Sequence, residues 1–114
     1  MTEVGFSKRF IRAAKRLTKK YRHLDNDLQP LFVKLRNGET PGDQIPGVGY
    51  PVYKERVPNS DSQVGKSGGY RVIYYVQTAT AVILLNIYSK TEQSDMPLEE
   101  IRQIIEEIDP PAEE

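Results

Sequence analysis

Gly65-Lys66-Ser67-Gly68-Gly69-Tyr70-Arg71-Val72-Ile73-Tyr74-Tyr75-Val76 is the stretch that decides the fold of this 114-residue chain. A glycine-rich turn runs straight into β-branched and aromatic residues, the composition of a strand, and the first positions of that strand include an arginine, Arg71. A short reversal at residues 77–80 leads to a second apolar run, Ala81-Val82-Ile83-Leu84-Leu85-Asn86-Ile87-Tyr88-Ser89-Lys90. The two runs read as an antiparallel hairpin at the centre of the domain, on which the rest of the chain must pack or which it must extend.

Upstream, Val52-Tyr53-Lys54-Glu55-Arg56-Val57 alternates with period two. Lys54 and Arg56 therefore share a face with Val52, and Tyr53, Glu55 and Val57 take the other. Residues 38–51 hold four glycines and three prolines, too irregular for a regular element and expected to be an ordered loop. Before it, Phe10, Ala14, Leu17, Tyr21 and Leu24 recur at steps of four and three, a stripe on a helix from about Lys8 to Arg22 with Ser7 as N-cap. Asp25, Asn26 and Asp27 read as a turn and cap. Leu28, Leu31, Phe32 and Leu35 then repeat the helical spacing as far as Asn37-Gly38, with Pro30 in the first turn. Residues 2–6 read as a short strand. Downstream, Asp95-Met96-Pro97 opens a last helix with Leu98, Ile101, Ile105 and Ile108 on one stripe, ended by Pro110-Pro111. The expected fold is α+β in the order β-α-α-β-β-β-α, one domain over residues 1–114, with 110–114 a tail without fixed structure.

Composition excludes several classes. The chain has no cysteine, hence no disulfide framework and no thiolate nucleophile or metal site, which fits a cytoplasmic protein. No run approaches the ~18 apolar residues of a membrane span, and the first residues lack an apolar signal core. Gly65-Lys66-Ser67 has no glycine at the upstream spacing of a phosphate loop and precedes a strand instead of a helix, so a nucleotide hydrolase is rejected. His23 is the only histidine, which removes a histidine metal cluster and leaves a Ser/His/Asp device resting on one helix-end residue. No cofactor and no metal are expected.

The formal net charge is zero, but it is unevenly spread: residues 1–58 hold 12 Lys/Arg against 6 Asp/Glu, and residues 59–114 hold 4 against 10. Lys8, Arg9, Arg12, Lys15, Arg16, Lys19 and Lys20 give the first helix faces without an acid, suited to phosphates or simply to water. A second cationic set, Lys54, Arg56 and Arg71, lies on two strands expected to be neighbours, with Lys66 in the turn and Lys90 at the end of the hairpin. Such a set fits a phosphodiester and charge developing on it; ordinary strand charges facing water are the plainer reading. As a residue at a strand start, Arg71 is expected to be exposed and replaceable within about 0.5 kcal/mol.

Tyr53-Lys54-Glu55-Arg56, then Gly68-Gly69-Tyr70-Arg71, then Ile87-Tyr88-Ser89-Lys90 before a closing helix resembles the RelE/ParE superfamily of bacterial toxins from toxin–antitoxin pairs. The likeness spans nearly the whole chain, and the RelE-like branch is the nearer. It implies a small curved, mainly antiparallel sheet packed on an N-terminal helical hairpin and a C-terminal helix. It also implies a ribosome-dependent, metal-independent mRNA endoribonuclease that inhibits translation, partnered by a cognate antitoxin, the ribosome and mRNA. By position, Lys54, Arg56 and Arg71 match the branch's catalytic cations. Lys8, Arg9, Arg12, Lys15, Arg16, Lys19, Lys20, Lys66 and Lys90 are then the RNA-binding set. Thr91 and Pro97 stand where RelE itself has an arginine and a tyrosine. The implied chemistry is attack by the RNA 2′-hydroxyl on its own phosphodiester, with Lys54 or a neighbour assisting deprotonation and Arg56 and Arg71 stabilising the transition state. Two other readings remain open: a ParE-like inhibitor of DNA gyrase, and an inactive member that only binds its antitoxin.

Overall fold

The computed structural model describes residues 1–62 and 69–110. Its elements are β1 (Glu3–Phe6), α1 (Lys8–Lys20), α2 (Leu24–Arg36), β2 (Asp43–Gln44), β3 (Val52–Val57), β4 (Tyr70–Thr78), β5 (Ala81–Ser89) and α3 (Leu98–Ile108). They form an α+β fold around one five-stranded sheet in the order β1-β5-β4-β3-β2. The β1–β5 pairing is parallel and the other three are antiparallel. Among the described residues no helix is long and apolar enough to cross a membrane.

The sheet is apolar on both faces. On one, Val57, Tyr70, Val72, Tyr74, Val82, Leu84 and Ile87 pack against Phe10 and Leu17 of α1 and against the leucines of α2. On the other, Val52, Ile73, Tyr75, Leu85 and Tyr88 pack against Met96 and against Ile101, Ile104 and Ile105 of α3. That double burial explains why β4 and β5 read as near-continuous apolar runs. Between β1 and α1, Ser7 Oγ accepts the Phe10 N–H at 3.0 Å as N-cap and donates to the Leu85 carbonyl at 2.7 Å, tying α1 to β5.

Several boundaries differ from the sequence expectation. The first helix stops at Lys20, where Tyr21 turns extended as its C-cap and buries its ring edge-on against Tyr70. The second begins at Leu24, so Asp25, Asn26 and Asp27 are helical; Asp25 and Asp27 lie in its first turn, where carboxylates meet the positive end of the helix dipole. Pro30 is then the seventh residue of α2 and lies beyond its first turn. Asp27 also accepts from Ser60 N–H and Oγ, and Asp61 from the His23 N–H and ring, which clips the segment after β3 to the start of α2. The loop at 38–51 contains a two-residue strand, β2, docked on β3. Gly42 allows this: it has φ +93°, and a Cβ there would lie 2.3 Å from the Lys54 carbonyl oxygen. On α3 the buried side is Ile101, Ile104 and Ile105, while Leu98 is 39% exposed. The tail at 111–114 lies outside the described residues.

Candidate active site

Antiparallel partners point to the same face of a sheet. The β3–β4 register sets Arg56 opposite Arg71, and the β4–β5 register sets Arg71 opposite Tyr88, giving a row Arg56, Arg71, Tyr88 across three strands. The adjacent row is Lys54, Ile73, Asn86. Both lie on the α3 side, so Lys54, Arg56 and Arg71 are brought together as expected.

The start of β4 is held by steric necessity. A Cβ on Gly69 would lie 2.3 Å from the Val57 carbonyl oxygen and 3.3 Å from Pro58 Cα. Only glycine lets the chain enter the ladder this close to the end of β3, and that entry fixes Arg71 opposite Arg56.

The segment from Lys90 to Pro97 folds over this face and supplies a carboxylate. Asp95 Oδ1 accepts the Met96 N–H at 2.8 Å, the Lys54 Nζ at 3.3 Å and the Tyr88 hydroxyl at 3.4 Å. Met96 is buried beneath it, and its sulfur receives Asn86 Nδ2 at 3.5 Å. The Lys54 and Asp95 side chains keep 32% and 66% of their surface exposed, so the pair is open to a ligand. Hydrogen bonding, first by Met96 N–H and also by Lys54 and Tyr88, lowers the Asp95 pKa. Burial, followed by the Asp95 charge, pushes the Tyr88 phenol up to about 12, against an opposing pull from Arg71. Tyr88 is thus a neutral hydroxyl donor at physiological pH, beside an ionised carboxylate and three cations.

Arg71 does not match its expectation. It is 4% exposed, enclosed between strands on a sheet covered by α3, and its Nη1 donates to the Tyr70 carbonyl at 3.2 Å. A strand start is exposed only when its side chain reaches water, and the Arg71 side chain does not. Arg56, nearer the open edge of β3, is exposed, and its backbone N–H is capped by Glu55 at 2.7 Å.

The cations of α1 separate onto different faces. Arg9, Arg12 and Arg16 line a groove of about 370 Å³ along the edge of β5, facing Asn86, Ile87 and Gln93. Lys15 and Lys19 border an apolar hollow with Phe6, Phe10 and Ile11 on the other side. Lys8 lies beside Glu107 and Ile104, and Lys20 stands 5.3 Å from the centre of the Tyr21 ring. Acidic residues of the C-terminal third fold back onto the helix, with Arg9–Glu100 at 3.3 Å and Arg16–Glu92 at 2.6 Å. Lys90 donates to the Ser94 carbonyl at 3.0 Å, closing the turn that carries Asp95. Lys66 lies outside the described residues.

Tyr88, Asp95 and Asn86 were not singled out from the sequence. Tyr88 was within reach of it, because a hairpin register counted from the correct turn pairs it with Arg71. In the sequence Asp95 reads only as the opening of a helix. Among the described residues, no three of His, Cys, Asp and Glu converge as metal ligands. No protein-family model matches the chain, and no curated protein matches it in sequence.

Proposed function

We propose that this protein is a cytoplasmic RelE-like toxin, an mRNA endoribonuclease acting on the ribosome and held in check by a cognate antitoxin. The observation that carries the reading is the row Arg56, Arg71, Tyr88 with the Lys54–Asp95 pair beside it. Cations, one neutral hydroxyl donor and one exposed carboxylate are what cleavage of a phosphodiester by its own 2′-hydroxyl requires.

In this reading the RNA phosphate enters at Lys54 and Arg56, taking Lys54 from Asp95, and the enclosed Arg71 acts on it through its charge from beneath the surface. The 2′-oxygen forms its bond to phosphorus as the P–O5′ bond breaks. Asp95, the neighbour of Lys54, accepts the 2′-hydroxyl proton, and Tyr88 supplies a proton to the departing 5′-oxygen. Asp95 is a weak base because its pKa is lowered, so stabilisation of the added negative charge by the three cations carries most of the rate. Lys54, met here as the cationic half of an ion pair, serves charge stabilisation.

The test is cleavage of messenger RNA on purified ribosomes in excess chelator. The expected products carry a 2′,3′-cyclic phosphate, and RNA with a 2′-deoxy sugar at the scissile position resists. Equal cutting of the deoxy substrate, or loss of cutting on chelation, overturns the mechanism. In cells, translation should fail before replication on induction; replication failing first would favour the gyrase reading.

A further inference from the structure

The groove beside α1 opens next to the candidate active site. Asn86 and Tyr88 are two residues apart on the same face of β5, about 7 Å along the strand. Asn86 also lines the groove that Arg9, Arg12, Arg16 and Gln93 complete. The hollow runs from the row of Lys54 to the exposed arginines.

Two side-chain amides face this groove with their orientation fixed. Asn86 is 4% exposed, and its NH₂ is directed at the Met96 sulfur, a group that can only accept. Gln93 directs its NH₂ at the Asp95 carbonyl at 2.8 Å, again acceptor only. In each case the amide oxygen is the end left over, and among the described residues neither oxygen receives a hydrogen bond. Both amides line the groove, so each oxygen is an acceptor that a donor entering the groove can reach. On the opposite wall Arg12 is in no ion pair among the described residues, and it lies one helical turn from Arg9 and from Arg16.

From this geometry we infer that the groove is a subsite for one nucleotide of single-stranded RNA adjoining the scissile phosphate, its phosphate on Arg12 and its base edge on the Asn86 and Gln93 amide oxygens. The volume of about 370 Å³ lies within the range of small-ligand sites. Two acceptors select an exocyclic amine. Adenine, cytosine and guanine carry one, whose two hydrogens can serve both oxygens; uracil offers a single ring N–H flanked by two carbonyl acceptors, so the subsite discriminates against uridine. Reading unstacked bases by side chains on their edges is the usual way proteins specify single-stranded RNA. The inference rests on the endoribonuclease reading, but the ligand chemistry can be tested without cleavage.

The full chain is titrated with adenosine 5′-monophosphate and with uridine 5′-monophosphate while the side-chain amide signals of Asn86 and Gln93 are followed by NMR. Adenosine monophosphate should shift both amides and bind about fivefold more tightly than uridine monophosphate, the worth of one net hydrogen bond. Arg12→Glu should weaken both nucleotides. Gln93→Lys, at an exposed position, exchanges an acceptor for a donor and should bring the two affinities within about twofold of each other. In ribosomal cleavage of RNAs differing at one position beside the cut, the adenosine-to-uridine ratio should fall by a similar factor in Gln93→Lys. Equal binding of the two nucleotides, shifts confined to residues outside the groove, or displacement of nucleotide by an acidic peptide overturns the subsite. Nucleotide discrimination without any RNA cleavage would sink the nuclease reading and leave the subsite standing; cleavage with an unchanged ratio in Gln93→Lys would do the reverse.

Discussion

Arg56 and Arg71 face each other directly across the β3–β4 ladder, yet Arg56 is exposed and Arg71 is 4% exposed. Two like charges side by side repel, and here one of them is enclosed, with its Nη1 donating to the Tyr70 carbonyl, while the other stands in water. An anion at the exposed Arg56 would gain from both positive charges, which is the electrostatic case for a phosphate there.

The two arginines should therefore behave differently on truncation. Arg71→Ala leaves a cavity and removes a buried hydrogen bond, and should cost about 2 kcal/mol in urea unfolding. Arg56→Ala should stay within about 0.5 kcal/mol of the parent and lose cleavage. A stable Arg71→Ala would mean that the enclosure is not maintained in solution, and a fully active Arg56→Ala would remove Arg56 from the site.

Tyr88→Phe keeps the buried ring and deletes only the hydroxyl 3.4 Å from Asp95. The fold should hold, and cleavage should slow by about 10²-fold, the lower range for a lost proton donor. With a substrate whose 5′ leaving group is already acidic, the defect should disappear. A defect of the same size on both substrates would make Tyr88 a packing residue alone.

The sheet and helices were legible because their cores repeat at the periods of strands and helices. The two-residue β2 was not, since nothing in residues 38–51 alternates and its docking depends on Gly42 reaching Lys54. At the site, the cations were legible as charges on a strand, and their burial was not. Taking residues 77–80 as the whole reversal pairs Val76 with Ala81 and sets Arg71 opposite Asn86. The turn is tighter, with Thr78 opposite Ala81, and irregularities at Val76/Thr78 and Ile73/Tyr74 restore the pairing of Arg71 with Tyr88. Asp95 escaped notice because its role comes from a loop crossing the sheet, a contact without local signature.

Gly69→Ala tests how far the site depends on the entry to β4. The added Cβ meets the Val57 carbonyl oxygen at 2.3 Å, against backbone that cannot swing away. The expected cost is about 1–3 kcal/mol, typical of overpacking, with NMR shift changes concentrated at Val57, Tyr70 and Arg71. Gly5→Ala is the control: its Cβ would find nothing nearer than 3.8 Å. If both substitutions cost the same, close approach is not what fixes glycine at position 69.

Asp95 offers a pH signature whose sign can be stated in advance. Its carboxyl is held below the ordinary value of 3.8, chiefly by the Met96 N–H and further by Lys54 and Tyr88. The folded pKa lies below the unfolded one, so its stabilisation is present above about pH 4 and is lost as pH falls through the folded value. The pair is largely exposed, which limits the effect to less than about 1 kcal/mol. Asp95→Asn retains an acceptor for Met96 while removing the charge. Unfolding free energies of parent and variant should differ at pH 7 and converge as the carboxylate protonates below about pH 4. In single-turnover cleavage the same substitution should separate two roles. Losing the base lowers the maximal rate by about 10²-fold, while removing the anion that competes for Lys54 tightens substrate by about fivefold, equivalent to roughly 1 kcal/mol. Weaker substrate binding in Asp95→Asn would show that the phosphate does not take the place of this carboxylate.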